Sequence, residues 1–303
     1  DRIMAGRIPD MGRVSLSPML SPKGRLIGDF TISCLGEEEF QLTSSYGYQS
    51  VHERWLRRHL EAGIDIENIS DRRTGFQIAG PMARNVLAEV TRADVSAESF
   101  LFMDVKRMTV GMCDCIVQRL SYTGDLGYEI YTDAMDQRSL WDTLFAAGQK
   151  YGMRPFGMRA MMSLRLDKFF GSWLSEFSPD YTPAETGMDR FVAFNKGADF
   201  IGRSAVEAER QSGPARKLVM FEVDADDADA VGYEPVWIDG EVKGFCTSGG
   251  YSHTAQKSIA LALVDVASLS DDLEAKIEIL GNMRPARRIH QMLFDADGAR
   301  MRG

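Results

Sequence analysis

The sequence predicts an α+β fold with largely antiparallel sheets and a small β-barrel or sandwich at its C-terminal end. In the first two thirds of the 303 residues, strand and helix patterns mix without the strict alternation of parallel βαβ folds. In the last third, short strand patterns follow one another and no good helix intervenes. The pattern changes at Gln-Ser-Gly-Pro-Ala-Arg, residues 211–216, so we expect two domains, at 1–213 and 214–303.

Hydrophobic periodicity predicts the elements of the first domain. Residues 26–35 form a half-buried strand pattern, because polar Asp29 alternates with the apolar residues Phe30 and Ile32. A strand, a turn and a helix are expected across 76–87, and a strand at 110–119. The remaining helices of this domain are expected at 48–62, 138–151 and 157–169.

Turn residues divide the second domain into short strands. These strands are expected at 217–223, 233–238, 243–248, 258–264, 275–279 and 284–290. Asp239-Gly240 predicts a tight hairpin between two of them. The glycine-rich stretch 248–252 lies among strands and lacks the following helix of a nucleotide-binding loop, so it is interpreted as a barrel turn.

Composition excludes several classes of protein. A content of 44% hydrophobic and 26% charged residues is ordinary for a globular chain and argues against disorder. The net charge of −9 disfavours nonspecific electrostatic binding to nucleic acid or anionic lipid. The longest apolar run, 259–264, is far below the ~20 residues that span a bilayer. The four cysteines have no disulfide-like spacing, which favours a reducing, cytoplasmic compartment.

The common catalytic constellations are not found in the sequence. His52 and His59 lie seven residues apart without a third ligand nearby, so no metal site is expected. No nucleophile elbow, phosphate-binding loop or flavin fingerprint occurs. The chain by itself is therefore not expected to oxidise an amine.

Two acidic residues interrupt strand patterns. Asp29 lies either at an edge facing water or in a cavity, and Glu129 is flanked by Tyr128 and Tyr131, with Tyr122 nearby. Carboxylates that accept hydrogen bonds, next to aromatic rings, suit a flat heterocycle with amide and amine donors. Two arginines on one helix, Arg159 and Arg165, either meet an anionic ligand or are exposed or ion-paired.

Eight segments together resemble a known family. One is Ser-Tyr-Thr-Gly-Asp-Leu-Gly-Tyr-Glu-Ile at 121–130, and another is Gly-Gly-Tyr-Ser-His at 249–253. The full set, in the family's order, is 12–20, 24–29, 78–84, 119–130, 157–166, 182–187, 199–203 and 247–253. They resemble the glycine-cleavage T-protein (aminomethyltransferase) family. The Tyr-Ser-His form and Trp173 are most similar to the C-terminal folate-binding half of dimethylglycine and sarcosine dehydrogenases.

The resemblance implies two α+β lobes and a C-terminal β-barrel around a central pocket for tetrahydrofolate. It implies that Asp29 is the catalytic carboxylate, and that Tyr122, Glu129, Arg159 and Trp173 bind the folate. The family's module normally begins well before a segment such as 1–13, so we expect that an N-terminal part is absent from this sequence.

The resemblance further implies transfer of a one-carbon unit to tetrahydrofolate from an N-methyl or aminomethyl donor, such as a small methylated amine. The expected partner is a flavin-dependent demethylating dehydrogenase, as a fused domain or a separate subunit. One alternative is a folate-dependent demethylase that takes a methyl group directly from a sulfonium, an amine or an aryl ether. Another is a non-catalytic folate-binding protein of iron–sulfur assembly, although residues 196–203 lack the cysteine expected there.

Overall fold

The computed structural model describes residues 1–271 and 273–303. The strands are β1 (Val14–Leu20), β2 (Leu26–Gly36), β3 (Glu39–Thr43), β4 (Arg73–Ala79), β5 (Val105–Val110), β6 (Cys113–Gln118), β7 (Gly127–Asp133), β8 (Arg216–Val223), β9 (Pro235–Ile238), β10 (Glu241–Ser252), β11 (Lys257–Asp265), β12 (Glu274–Ile279) and β13 (Asn282–Ile289). The helices are α1 (Gln49–His59), α2 (Ala83–Val90), α3 (Gln137–Gly148), α4 (Met158–Asp167), α5 (Pro183–Thr186), α6 (Arg203–Ser212) and α7 (Ala299–Arg302). The fold is therefore α+β with antiparallel sheets, as predicted.

The chain divides into two compact units. The first unit contains residues 1–7, 17–29 and 159–296. The second unit contains residues 8–16, 30–158 and 297–303. Strands β1 and β2 contribute residues to both units, and with β3 they form a sheet in the order β1-β2-β3. The domain boundary expected near residue 214 stays a prediction.

The first unit contains a closed barrel with the strand order β10-β11-β8-β13-β12-β9. All six strands predicted for this part of the chain are present, and they contribute fully buried apolar side chains such as Phe221, Val236 and Ile277 to the core. Ile238 pairs with Glu241 across the two-residue turn, so the Asp239-Gly240 hairpin is confirmed.

The glycine-rich stretch 248–252 lies inside strand β10, so its interpretation as a turn is wrong. A bulge between Cys246 and Ser248 shifts the register there. A Cβ atom on Gly249 would lie 2.5 Å from the carbonyl oxygen of Ala230. The glycine is therefore needed for the close approach of another chain segment, and that contact is distant in sequence.

The second unit contains a four-stranded sheet in the order β4-β7-β6-β5. Its core includes Ile78 and Ile130 from the sheet, Leu87 from α2, and Leu140 from α3. The strand predicted at 110–119 is the end of β5, a turn and β6, because Gly111 turns the chain with a φ of +62°. The core covers one face of β7, and its other face carries the candidate site.

Two further observations concern the chain as a whole. Among the described residues, no helix combines the length and the apolar character needed to cross a membrane. All four cysteines are free and buried, and burial raises the pKa of the Cys115 thiol to about 11.

Candidate functional site

Three polar side chains form a row across the sheet of the second unit. Glu129 on β7 pairs with Gln77 on β4 and with Gln118 on β6. Directly paired residues in an antiparallel sheet project from the same face. Because Tyr128 and Ile130 project into the core, the acidic side chain between them projects from the opposite face. We call Gln77, Glu129 and Gln118 the polar row.

The carboxyl group of Glu129 is largely removed from water. Burial raises its pKa, and the hydrogen bond from Tyr131 partly offsets that rise. The Tyr131 hydroxyl donates to Glu129 Oε2 at 2.6 Å. Burial and the charge of Glu129 raise the pKa of Tyr131 well above its ordinary value, so the phenol stays a donor at neutral pH. Gly75 makes room for this pair, since a Cβ atom there would lie 2.9 Å from the Tyr131 ring.

The two glutamines of the row have hydrogen-bonding capacity to spare. Gln118 Nε2 donates to Ser33 Oγ at 2.9 Å. Oε1 of Gln77 and Oε1 of Gln118 are buried and accept no hydrogen bond from the described residues. Buried polar atoms in folded proteins are normally hydrogen-bonded. The polar row can therefore accept several N–H donors from one flat ligand.

Tyr122 lies in the loop 119–126 that joins β6 to β7. The side chain of Tyr122 is half-buried, whereas its neighbours Ser121 and Thr123 are buried. The hydroxyl groups of those neighbours lie 2.8 Å apart in a hydrogen bond. The loop thus has an ordered internal structure, and Tyr122 belongs to the same unit as the polar row.

Asp29 belongs to the first unit, on strand β2. The predicted alternation is present, because Phe30 and Ile32 are buried and Asp29 is half-buried. Its Oδ1 atom is buried and accepts no hydrogen bond from the described residues. Burial raises the pKa of Asp29 to about 6. A carboxyl group with this pKa changes charge close to neutral pH, which is the property of a general acid or base.

Trp173 lies in the segment after α4 in the first unit, and it is nearly buried. Its segment is held by Glu176, which accepts hydrogen bonds from Arg165 Nη1 at 2.7 Å and from the backbone N–H of Ser172 at 2.9 Å. Two hydroxyl groups of β10, those of Thr247 and Ser248, also donate to this carboxylate.

The two arginines of α4 have different surroundings. Arg159 is exposed near the start of the helix. Arg165 is fully buried and ion-paired with Glu176. Of the possibilities that the sequence left open for Arg165, the structure shows the ion pair. A role for Arg159 in binding an anion stays a prediction.

The predicted site residues therefore fall into two groups. Tyr122 and Glu129 share the second unit, and Asp29, Arg159 and Trp173 lie on different elements of the first. Sequence reasoning missed the glutamines of the polar row and Glu176. A polar residue inside an apolar strand was the available signal for the glutamines, but only the strand register relates them to Glu129. Tyr128, which flanks Glu129 in sequence, lies in the core on the opposite face.

Comparison with known proteins agrees with this architecture. The GCVT N-terminal domain model matches residues 1–196, and the glycine cleavage T-protein C-terminal barrel domain model matches residues 216–295. The crystal structure of glycine cleavage system aminomethyltransferase T from Bartonella henselae superposes with a TM-score of 0.83 at 23% identity. The match covers 97% of this chain and 80% of that one, and at this identity it shows a shared fold.

Curated relatives include two kinds of protein. The mitochondrial dimethylglycine dehydrogenases of Mus musculus and Homo sapiens are each 37% identical over 305 residues, which cover 100% of this chain. This chain spans only 35% of their length. The aminomethyltransferase of Geobacillus sp. (strain WCH70) is 33% identical over 92% of this chain and 76% of its own length.

An α+β region followed by a closed barrel, with both parts matched by the corresponding family models, defines the class of protein. The chain belongs to the glycine cleavage T-protein family, and it is an aminomethyltransferase-like enzyme. The resemblance inferred from the eight sequence segments is thereby confirmed.

Proposed function

We propose that this chain transfers a one-carbon unit from an N-methyl or aminomethyl donor to tetrahydrofolate. The observation that carries the proposal is the polar row, in which two glutamine oxygens without donors flank the half-buried Glu129, whose carboxyl group has a raised pKa. A reduced pterin ring presents amide and amine N–H groups along one edge, and these match a row of acceptors. Tyr122 in the neighbouring loop supplies an aromatic ring to such a ligand.

Within this proposal the residues have distinct tasks. When bound, tetrahydrofolate supplies an amine nucleophile that accepts the one-carbon unit. Glu129 accepts N–H donors of the pterin and orients it, while the Tyr131 hydroxyl holds the carboxylate in place. Asp29 is ionised above pH 6, so its carboxylate stabilises a cationic donor and accepts a proton at the unpartnered Oδ1. Trp173 and Arg159 are proposed to contact the remainder of the folate.

The donor and the partner are proposed from the relatives. Similarity to dimethylglycine dehydrogenases along the whole chain supports a small methylated amine as the source of the carbon. It also supports cooperation with a flavin-dependent dehydrogenase, as a fused domain or as a separate subunit. We place the protein in a reducing, cytoplasmic compartment, which is consistent with four free and buried cysteines.

Calorimetric titration with tetrahydrofolate under anaerobic conditions tests the proposal. We expect the wild type to bind and Glu129→Gln to bind about 10- to 100-fold more weakly, as for loss of a hydrogen bond to a charged group. The matched control is Glu98→Gln, which removes an exposed carboxylate from the same unit and should bind like the wild type. Equal affinity of all three proteins would remove Glu129 from the site, and no binding by the wild type would reject folate as the ligand.

A further inference from the structure

The last residues of the chain belong to a different unit from the barrel that precedes them. The barrel lies in the first unit, whereas residues 297–303 are part of the second. This segment, which we call the tail, contains the one-turn helix α7 (Ala299–Arg302). The tail contacts the second unit through arginine side chains, and those contacts converge on the loop 119–126.

The first of these contacts is at the beginning of that loop. Arg119 is fully buried and donates from Nη2 to the carbonyl oxygens of Arg302, at 2.7 Å, and of Gly303. Its other nitrogen, Nη1, donates to the carbonyl oxygen of Phe100. Arg84 on α2 donates to the same Gly303 oxygen at 2.7 Å. The tail thus supplies acceptors to a buried cation.

The charge of the buried Arg119 makes its contact with the tail important. Burial lowers the pKa of Arg119, and the nearby charge of Arg84 lowers it further. Burying a charged group is costly unless acceptors compensate it. Carbonyl oxygens at the C-terminal end of a helical turn carry partial negative charge, and here they face two guanidinium groups. Loss of the tail would remove two of the three oxygen atoms that accept hydrogen bonds from the Arg119 guanidinium among the described residues.

The second contact is at the end of the same loop. Arg300 of the tail donates to Asp125 Oδ2 at 2.9 Å. The other oxygen of Asp125 accepts the backbone N–H of Leu126 at 2.9 Å, so the carboxylate ties the tail to the start of the strand that carries Glu129. The tail is therefore attached at both ends of a loop with Tyr122 between the attachments.

We propose that the tail is a positioning element for Tyr122. It acts through Arg119 at one end of the loop and through Asp125 at the other. This role requires no contact between the tail and the substrate. The inference rests on the proposed function, because it takes Tyr122 as part of the folate site. Arg300 and Asp125 are positioning residues in this scheme, and their effect reaches the ligand through the conformation of the loop.

A charge exchange tests the proposal without disturbing the buried Arg119. Arg300→Asp and Asp125→Arg are made singly and together, and tetrahydrofolate affinity is measured by calorimetry. Each single variant should bind about fivefold more weakly, as expected for a partly exposed ion pair, and the double variant should recover affinity relative to Asp125→Arg. Hydrogen exchange without ligand should rise in the peptide covering 119–126 in the single variants and fall again in the double variant.

The matched control is Arg72→Asp, which makes the same charge change at another exposed ion pair of the second unit, that with Glu67. It should leave both the affinity and the exchange of the loop at wild-type values. The inference is overturned if the single variants bind folate like the wild type, whether or not loop exchange rises. A wild type that does not bind tetrahydrofolate rejects the proposed function instead, so the two failures are distinguishable.

Discussion

Glu176 in the first unit is fully buried and Glu129 in the second is half-buried, and the hydrogen-bonding surroundings of the two carboxyl groups differ. Glu176 is paired with buried Arg165 and receives further hydrogen bonds from one backbone N–H and two hydroxyl groups. Glu129 accepts a hydrogen bond from the Tyr131 hydroxyl, and the side-chain oxygens of the glutamines on either side of it have no donors.

The difference separates an acid with a structural role from one that we propose binds a ligand. The protein itself satisfies the carboxylate of Glu176, which joins α4, the Trp173 segment and strand β10. Around Glu129 the glutamine oxygens lack donors, which supports the proposal that a ligand supplies them. Glu176 is fully buried and Glu129 is half-buried, and the balance of donors and acceptors separates the two further.

The largest effect is expected from breaking the Glu176 pair. Glu176→Gln leaves the Arg165 guanidinium buried without its counter-charge, which should lower the free energy of unfolding by about 3–5 kcal/mol. Urea denaturation followed by circular dichroism measures this. Replacing both residues, as Arg165→Met with Glu176→Leu, should restore most of the stability because no unpaired charge remains. A loss below about 1 kcal/mol in the single variant would show that the pair is not a structural element.

The next effect concerns catalysis by Asp29. Asp29→Asn should lower kcat about 10²-fold, the lower range for loss of a general acid or base, while tetrahydrofolate still binds. Since burial raises the Asp29 pKa to about 6, wild-type kcat should fall as the pH drops through 6, and the variant should lose this dependence. Stopped assays between pH 5 and 8 measure both. Weak folate binding with normal turnover of bound folate would contradict the assigned role.

The smallest effect is on stability at the polar row. The pKa of Glu129 is raised in the folded protein, so protonation favours the folded state and the ionised form costs stability. Wild type should therefore lose stability relative to Glu129→Gln as pH rises above the unfolded value of about 4.3. We therefore expect the variant to melt at a higher temperature than the wild type at pH 8, with no difference between the two at pH 4. An identical Tm at both pH values would mean that Glu129 resembles Glu176 in being fully compensated.

Local patterns were sufficient for much of the fold. The six barrel strands and the helices α1 to α4 follow from periodicity and turn residues, which act within a few positions. The errors arose where a distant contact decides the conformation. Gly249 pairs with Ala260 of strand β11, and its lack of a side chain allows the close approach of Ala230. Neither contact can be predicted from the surrounding sequence.

The site was less predictable for the same reason. Family resemblance pointed to Glu129 and Asp29, but Gln77 and Gln118 come to lie beside Glu129 only through strand register. Which of Arg159 and Arg165 is buried depends on the partner Glu176. This partner lies 11 positions after Arg165 in the chain. Contacts of this kind are properties of the folded chain and are not encoded in any short segment.

The buried cysteines have a practical consequence. A thiol reacts with alkylating reagents as the thiolate and only when the reagent can reach it. All four native thiols are shielded, and the high pKa of Cys115 keeps it protonated. A cysteine introduced at an exposed position such as Met135, which is 93% exposed, should therefore be labelled selectively in the native protein. Alkylation of the remaining four would then report the moment at which the chain unfolds.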